Sequence, residues 1–317
     1  MNEEKLINRL SKYIGSDYLF LAPSGTDALI KSLRILNLPS DAEVIVPSFC
    51  CKAVADAVIK CRLKPVFSDV SISNYNISVA DIEKVLTQKT AAVIVVHLFG
   101  QPAPIDEIID YVKRKSIFVI EDAAQAFGGV YKNGAKLGTL GDIGIFSFGY
   151  EKIIDAGGGG AILTNRNDFA VELKKQVTGY KDHKEWMERL DFLMNSIDDN
   201  LSIRRENVIL YKKHLNINLI THPKYSDGSG TFFRYSCVLN YDCRSKLLEG
   251  LKGDGELITT LYSQHLHALY GNSAKILKNT DYLSNRIINL FVRSPYTGEY
   301  VIKITDKIKR IFENIKE

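Results

Sequence analysis

Between residues 18 and about 165 the chain alternates short β-rich apolar runs with helix-like patterns, and this alternation limits the available folds more than any other feature. The runs are "YLFLA", "EVIVPS", "KPVFSDV", "AAVIVVHLFG", "SIFVIED", "IGIFSF" and "GAILTN". Strands that alternate with helices pair side by side through crossover connections, which predicts an α/β fold around a mostly parallel sheet. The unbroken apolar run "AAVIVV" suits a strand covered on both faces. After "APS", Leu29, Leu33 and Leu36 recur on one helical face, as expected of a helix laid on that sheet.

Beyond residue 166 the pattern changes to long polar helical stretches, "DFAVELKKQV" and "EWMERLDFLMNSIDDNLSIRRENVILYKKHL". The segment "HPKYSDGSGTFFRYSCVLN" predicts a hairpin bent at Gly228 and Gly230. "CRSKLLEGLKGDG" predicts a helix closed by glycine. The last helix carries Ile302, Ile304, Ile308, Ile311 and Ile315 as an expected buried stripe. These patterns predict a large α/β domain over residues 1–199 and a small α+β domain over residues 200–317.

Composition excludes several functions. With 41 Lys plus Arg against 37 Asp plus Glu, the net charge of +4 is too small and too dispersed for a nucleic-acid surface. The start "MNEEKLINRLSKYIG" has no apolar segment behind a basic end, and no apolar run approaches the ~20 residues that span a bilayer. A cytoplasmic location without membrane contact is expected. Cys50, Cys51, Cys61, Cys237 and Cys243 include no C-x-x-C pair and no histidine at zinc spacing, which predicts reduced thiols and no metal.

In an open parallel sheet the ligand lies beyond the carboxyl ends of the strands, so residues just past each strand matter most. "PSGTDAL" offers Ser24, Gly25 and Thr26 at a helix N-terminus, where backbone N–H groups and the helix dipole favour a phosphate. Ser24 with Asp27 is equally an ordinary capping box. "IEDAAQAFGG" ends a strand with Glu121 and Asp122, and strand parity can send one carboxylate into the crevice and the other away from it. A helix N-cap by Asp122 is the plainer alternative. "FSFGYEK" places Ser147 at a strand end and Lys152 five residues on; a reactive lysine needs a setting that disfavours its charge, whereas most lysines are solvated. "AGGGGA", residues 156–161, argues for positive φ or close backbone approach, and it lacks the G-K-[ST] ending of a nucleotide P-loop. A phosphate anchor, a carboxylate, a hydroxyl and an amine together suit pyridoxal 5′-phosphate.

These stretches, read with "EVIVPSF", "VVHLFGQPAPID" and "LGTLGDIGIFSFGYEK", resemble the DegT/DnrJ/StrS group of pyridoxal-phosphate-dependent sugar aminotransferases. The resemblance implies the type I aminotransferase fold and a homodimer. It implies Lys152 as the Schiff-base lysine and proton carrier, Asp122 beside the pyridine nitrogen, and Gln125 near the phenolic oxygen. Gly25, Thr26 and Ser147 would hold the phosphate. His267 matches the histidine that closes the family's "Y-P-x-P-L-H" stretch and would meet substrate, although "YSQHLH" lacks both prolines. Cys51 stands where the family places an aromatic or histidine ring over the cofactor. An inter-subunit "N-Y-R-M" segment and an N-terminal extension are not found.

The function so implied is transfer of an amino group from an amino acid, expected to be L-glutamate, to a keto-sugar, expected to be nucleotide-linked. Lysine at position 152 argues against the family's dehydratase branch, where histidine takes that place. Two alternatives stay open at this point: a pyridoxal-phosphate enzyme acting on a smaller acceptor without a nucleotide, and a non-catalytic relative that keeps the fold.

Overall fold

The computed structural model describes residues 2–177, 184–215, 217–224, 230–251, 258–271 and 276–315. It begins with α1 (Glu3–Ile14), β1 (Tyr18–Ala22), α2 (Gly25–Ile35), β2 (Glu43–Pro47), α3 (Lys52–Lys60), β3 (Lys64–Ser68) and α4 (Val79–Glu83). Next come β4 (Thr90–Val96), α5 (Ile105–Lys113), β5 (Phe118–Asp122), β6 (Ile143–Ser147), β7 (Gly160–Thr164) and α6 (Asn167–Gln176). The remainder consists of α7 (Lys184–Leu193), α8 (Ile197–His214), β8 (Ile220–Thr221), β9 (Tyr235–Leu239), α9 (Arg244–Gly250) and β10 (Ile258–Thr259). α10 (Leu266–Leu269), α11 (Lys278–Arg286), β11 (Ile287–Leu290) and α12 (Gly298–Ile315) complete it.

Each apolar run between residues 18 and 165 forms a strand, and the seven strands join one sheet in the order β1-β7-β6-β5-β4-β2-β3. Neighbouring pairs among β2 to β6 are parallel, while β7 runs antiparallel to both β6 and β1. The sheet is therefore mostly parallel. β4 is buried along nearly its whole length, because helices cover both faces. α2 turns Leu29 and Leu33 inward, and Leu36 just past its end is also buried.

A second, antiparallel sheet has the order β10-β11-β9-β8 and its own apolar cluster with α8, α9 and α12. The inward stripe of α12 is Val301, Ile304, Ile308 and Phe312, which keeps Ile304 and Ile308 of the expected isoleucine series and replaces the others. Ile302 is 39% exposed, because two residues of helix turn it about 200° away from Ile304. Ile311 is half-buried, and the side chain of Ile315 lies outside the described residues. β8 and β9 pair antiparallel as a hairpin requires. Gly228 falls outside the described residues, and Gly230 lies against the Gln101 amide, where an added Cβ would come within 2.8 Å of Nε2. Gly250 is the last residue of α9; the later glycines of that stretch are outside the described residues. None of the described helices is long and apolar enough to cross a membrane.

Glu121 anchors the loop after β5. Its buried carboxylate accepts hydrogen bonds from His97 Nε2 (2.7 Å) and from the N–H groups of Gly138 (2.6 Å), Leu140 (2.8 Å) and Gly141 (2.9 Å). His97 Nδ1 accepts from the Ala103 N–H at 3.0 Å, so the ring carries its proton on Nε2. Burial pushes the Glu121 pKa up, but these donors outweigh burial and hold it below the ordinary value. A depressed carboxylate contributes stability in full above its unfolded pKa of about 4.3, and loses it as pH falls through the lower folded value. Glu121→Gln should cost about 3 kcal/mol at neutral pH, since one buried donor is left facing another. Its acid-unfolding profile should also lose a step below pH 4 that the parent shows; urea unfolding from pH 3 to 7 checks both.

Candidate active site

The carboxyl ends of β1, β2, β4, β5 and β6 open on a common edge of the large sheet, and a cavity of about 220 Å³ lies there. Residues at or just beyond these strand ends form its wall. β1 leads to Ser24, Gly25 and Thr26, β2 to Cys51, β5 to Asp122 and Gln125, and β6 to Ser147 and Lys152; all of these line the cavity.

At the start of α2, Ser24 Oγ accepts from the Asp27 N–H at 3.1 Å and donates to Asp27 Oδ2 at 2.7 Å. Ser24 therefore caps the helix, and the same turn lines the cavity. Capping leaves the first N–H groups of the helix pointing out of its N-terminus, which suits an anion. Gly25 is packed so closely that an added Cβ would sit 2.7 Å from Ser147 Cβ. Absence of a side chain here brings the Ser147 hydroxyl and the helix start together.

The four-glycine run works from behind this turn, not at the cavity itself. Gly157 and Gly159 have φ of 79° and 87°. A Cβ on Gly160 would lie 2.7 Å from the Ser24 carbonyl, and one on Gly159 would lie 2.5 Å from the Trp186 ring. The run lets β7 slide in beside residues 23–25, with Gly160 opposite both Ala22 and Ser147.

Strand parity separates the two acids. Glu121 points into the loop of residues 138–141, whereas Asp122 lines the cavity and, among the described residues, accepts only from the Ala124 N–H, at 3.0 Å. It is not a helix N-cap, since no helix begins directly after β5. Burial pushes the Asp122 pKa up, against the pull of that N–H and of the Lys152 charge. Lys152 is half-buried, with Nζ 5.5 Å from the centre of the Phe233 ring. Burial lowers its pKa, against the attraction of Asp122. A neutral amine is therefore easier to reach than on a surface lysine.

Gln125 is locked in place. Its Oε1 accepts from the Phe99 N–H at 2.7 Å and its Nε2 donates to the Tyr262 hydroxyl. Tyr262, from the turn after β10, positions Gln125 without lining the cavity, a contact the sequence does not signal; in "LYSQHLH" the histidines are the conspicuous groups. Cys51 is solvent-exposed at the start of α3. His267 does not line the cavity. It is 2% exposed, its Nδ1 pairs with Ser48 Oγ at 2.7 Å, and its Nε2 lies 3.3 Å from Asp281 Oδ1. His265 stacks on it, 3.4 Å from the same oxygen. The ligating atoms of His265, His267 and Asp281 thus lie within 4.8 Å, a cluster the sequence spacing does not suggest.

Glu151, Arg234 and Arg293 are likewise not signalled by the sequence. Arg234 Nη2 meets Glu151 Oε2 at 3.0 Å and Arg293 Nη2 meets Oε1 at 3.5 Å, beside Lys152. The two arginines sit on separate parts of the chain, and each reads alone as a solvated charge.

Fold and cavity together define an enzyme of the aminotransferase class, built on the type I fold. The chain belongs to the DegT/DnrJ/EryC1/StrS aminotransferase family, whose pattern matches residues 1–192. It is 30% identical over 332 residues to a GDP-perosamine synthase of Escherichia coli O157:H7, covering 98% of this chain and 90% of that protein. A dTDP-3-amino-3,6-dideoxy-alpha-D-galactopyranose transaminase of Aneurinibacillus thermoaerophilus is 35% identical over 235 residues, covering 69% of this chain and 64% of that one. Among solved structures, a DegT DnrJ EryC1 StrS aminotransferase from Brucella abortus superposes with a TM-score of 0.85 at 25% identity, covering 97% of this chain and 89% of that one.

Enzymes of this family work with pyridoxal 5′-phosphate, and the residues present fit it. An amine suits its aldehyde, a cavity-facing carboxylate suits its ring nitrogen, and a helix N-terminus with a hydroxyl suits its phosphate.

Proposed function

We propose that this aminotransferase moves an amino group from an amino acid, L-glutamate, to the keto carbon of a nucleotide-linked sugar. The observation that carries the reading is the meeting of Lys152, Asp122, Ser147 and the start of α2 around one cavity. The acceptor class rests on relatives named for GDP- and dTDP-linked sugars.

Pyridoxal phosphate, when bound, supplies an aldehyde carbon and an electron-withdrawing ring. In this reading the residues divide the remaining work. Lys152 Nζ takes the proton from the donor's Cα and returns one to the acceptor carbon, and its burial keeps the amine within reach of the neutral form. Asp122 holds a proton at the ring nitrogen. Gly25, Thr26 and Ser147 would hold the phosphate, Gln125 would serve the phenolic oxygen, and Cys51 would stand in for a larger side chain toward the ring. His267 would act only indirectly, by holding the segment after β2 through Ser48. We place the domain division at residues 199 and 200, and the working form as a cytoplasmic homodimer.

The test is a panel of acceptors with L-glutamate: nucleotide-linked keto-sugars, free keto-sugars, cyclitols and simple keto acids. Turnover restricted to nucleotide-linked keto-sugars is expected. Turnover with a smaller acceptor alone overturns the acceptor assignment. A protein that binds pyridoxal phosphate, yet whose visible absorbance no amino acid alters, overturns the reaction.

A further inference from the structure

His265, His267 and Asp281 stand outside the cofactor cavity, yet they bring three metal-ligating side chains to one point. Their ligand atoms lie within 4.8 Å of one another. Asp281 Oδ1 is 3.3 Å from His267 Nε2 and 3.4 Å from His265 Nε2, both longer than an ordinary N–H···O hydrogen bond. Tetrahedral metal bonds of about 2.0–2.1 Å hold neighbouring ligands about 3.3–3.4 Å apart, which is the spacing from this oxygen to the two rings. The rings stack with centroids 4.3 Å apart and planes 19° from parallel. Two imidazolium charges so placed repel, whereas two neutral rings can share a cation.

The surroundings fit a cation better than they fit a cluster of hydrogen bonds. Among the described residues the buried Nδ1 of His265 has no hydrogen-bond partner, so hydrogen bonds do not account for the pose of this ring. His267 is held from behind. Its Nδ1 lies 2.7 Å from Ser48 Oγ, which also accepts from the His267 N–H at 3.0 Å. A serine oxygen that accepts from Nδ1–H turns the Nε2 lone pair toward Asp281, as the hydrogen-bonded partner of a ligating histidine does. Asp281 lies in the first turn of α11, whose start is fixed by the Asp69 carboxylate through the N–H groups of Asn279 (3.1 Å) and Thr280 (2.8 Å). The His267 side chain is 2% exposed, but those of His265 and Asp281 are 25% and 34% exposed, which gives an ion entry and leaves room for water as a fourth ligand.

We propose that His265 Nε2, His267 Nε2 and a carboxylate oxygen of Asp281 bind one divalent first-row transition ion of the zinc type, with water in the fourth position. Two imidazoles and one carboxylate suit such an ion better than Mg²⁺ or Ca²⁺, which take oxygen donors. Spacing along the chain hides the site, because Asp281 comes from a separate helix. His265 stands where the stretch "Y-P-x-P-L-H" carries its second proline, so the second imidazole belongs to this chain and not to that pattern. The ion's role is structural. It ties α10 to α11 and, through Ser48, steadies the segment between β2 and α3 that ends in Cys51 at the cofactor cavity. None of this depends on the transamination reading.

The test uses untagged, pyridoxal-phosphate-loaded protein, stripped of metal by a chelator and titrated calorimetrically with zinc chloride. One Zn²⁺ per chain should bind, and the melting temperature should rise with zinc. His265→Ala and Asp281→Ala, both at partly exposed positions, should keep the parent's circular dichroism, weaken binding by more than about a hundredfold and abolish the zinc-dependent rise. Ser48→Ala should weaken binding about tenfold to a hundredfold. No stoichiometric binding by the parent, or binding unchanged in both ligand variants, overturns the proposal. So does displacement of zinc by excess Mg²⁺, which would assign the ion to oxygen donors elsewhere. Cobalt-loaded parent gives a reading that needs no variant: the visible bands of a four-coordinate site are expected, and six-coordinate bands or none overturn it.

Discussion

Lys152→Ala is expected to lower turnover by at least about 10⁴-fold, the upper end of what one acid–base group contributes, with the fold retained. The reason is positional. Among the described residues Lys152 is the one amine lining the cofactor cavity, so no neighbouring group can replace it there. Its half-buried setting and the ring of Phe233 hold the Nζ in place without an ion pair that the protein needs for stability. The melting temperature should accordingly stay within a few degrees of the parent, and circular dichroism should be unchanged. Steady-state assay with L-glutamate and the accepted keto-sugar decides the matter: turnover within tenfold of the parent would remove Lys152 from the chemistry. Adding a small primary amine gives a sharper reading, because partial recovery would identify the missing group as a base.

Asp122→Asn should depress the rate on the order of 10³-fold, the scale seen when one preorganised electrostatic group is removed. The substitution keeps an oxygen for the Ala124 N–H, which holds the side chain at 3.0 Å, so geometry should survive. The loss is confined to the negative charge. Burial raises the pKa of Asp122, against the pull of the nearby N–H and of the Lys152 charge, and a bound cofactor would gain from the carboxylate a partner for a proton on its ring nitrogen. An amide cannot hold that proton. A near-normal rate would mean that another group protonates the ring. Unchanged cofactor affinity with a lowered rate would place the effect in the chemical step and not in binding.

Much of this site is legible along the chain, because a parallel sheet gathers the residues at its strand ends. Gly25, Thr26, Cys51, Asp122, Ser147 and Lys152 each come at or shortly after a strand end, so recognising the strands is sufficient to predict that they meet. The division of labour between Glu121 and Asp122 is likewise set by parity. The glycine run is less legible. Its residues admit β7 beside the turn at residues 23–25 and do not border the cavity, since the tight neighbours of Gly159 and Gly160 are Trp186 and Ser24. A substrate role for His267 rests on likeness to a motif, and its observed partners are Ser48 and Asp281.

The apolar pattern along the chain dictated the sheet, because runs of strand length alternating with helices have few other ways to bury their faces. It determined the strand-end residues of the cavity for the same reason. What stands around the cavity is set by tertiary packing. Arg204 lies in the polar stretch "IRREN", Tyr262 in a turn and Arg293 next to β11, and nothing in their local pattern distinguishes them from solvated or structural side chains. Arg204 and Arg293 line a cavity with Lys152 because α8 and the stretch after β11 come to lie beside the loop after β6, and the Arg204 guanidinium is buried there instead of standing in water. Local periodicity reports which face of an element is apolar; it carries no record of which distant charge will be brought beside it.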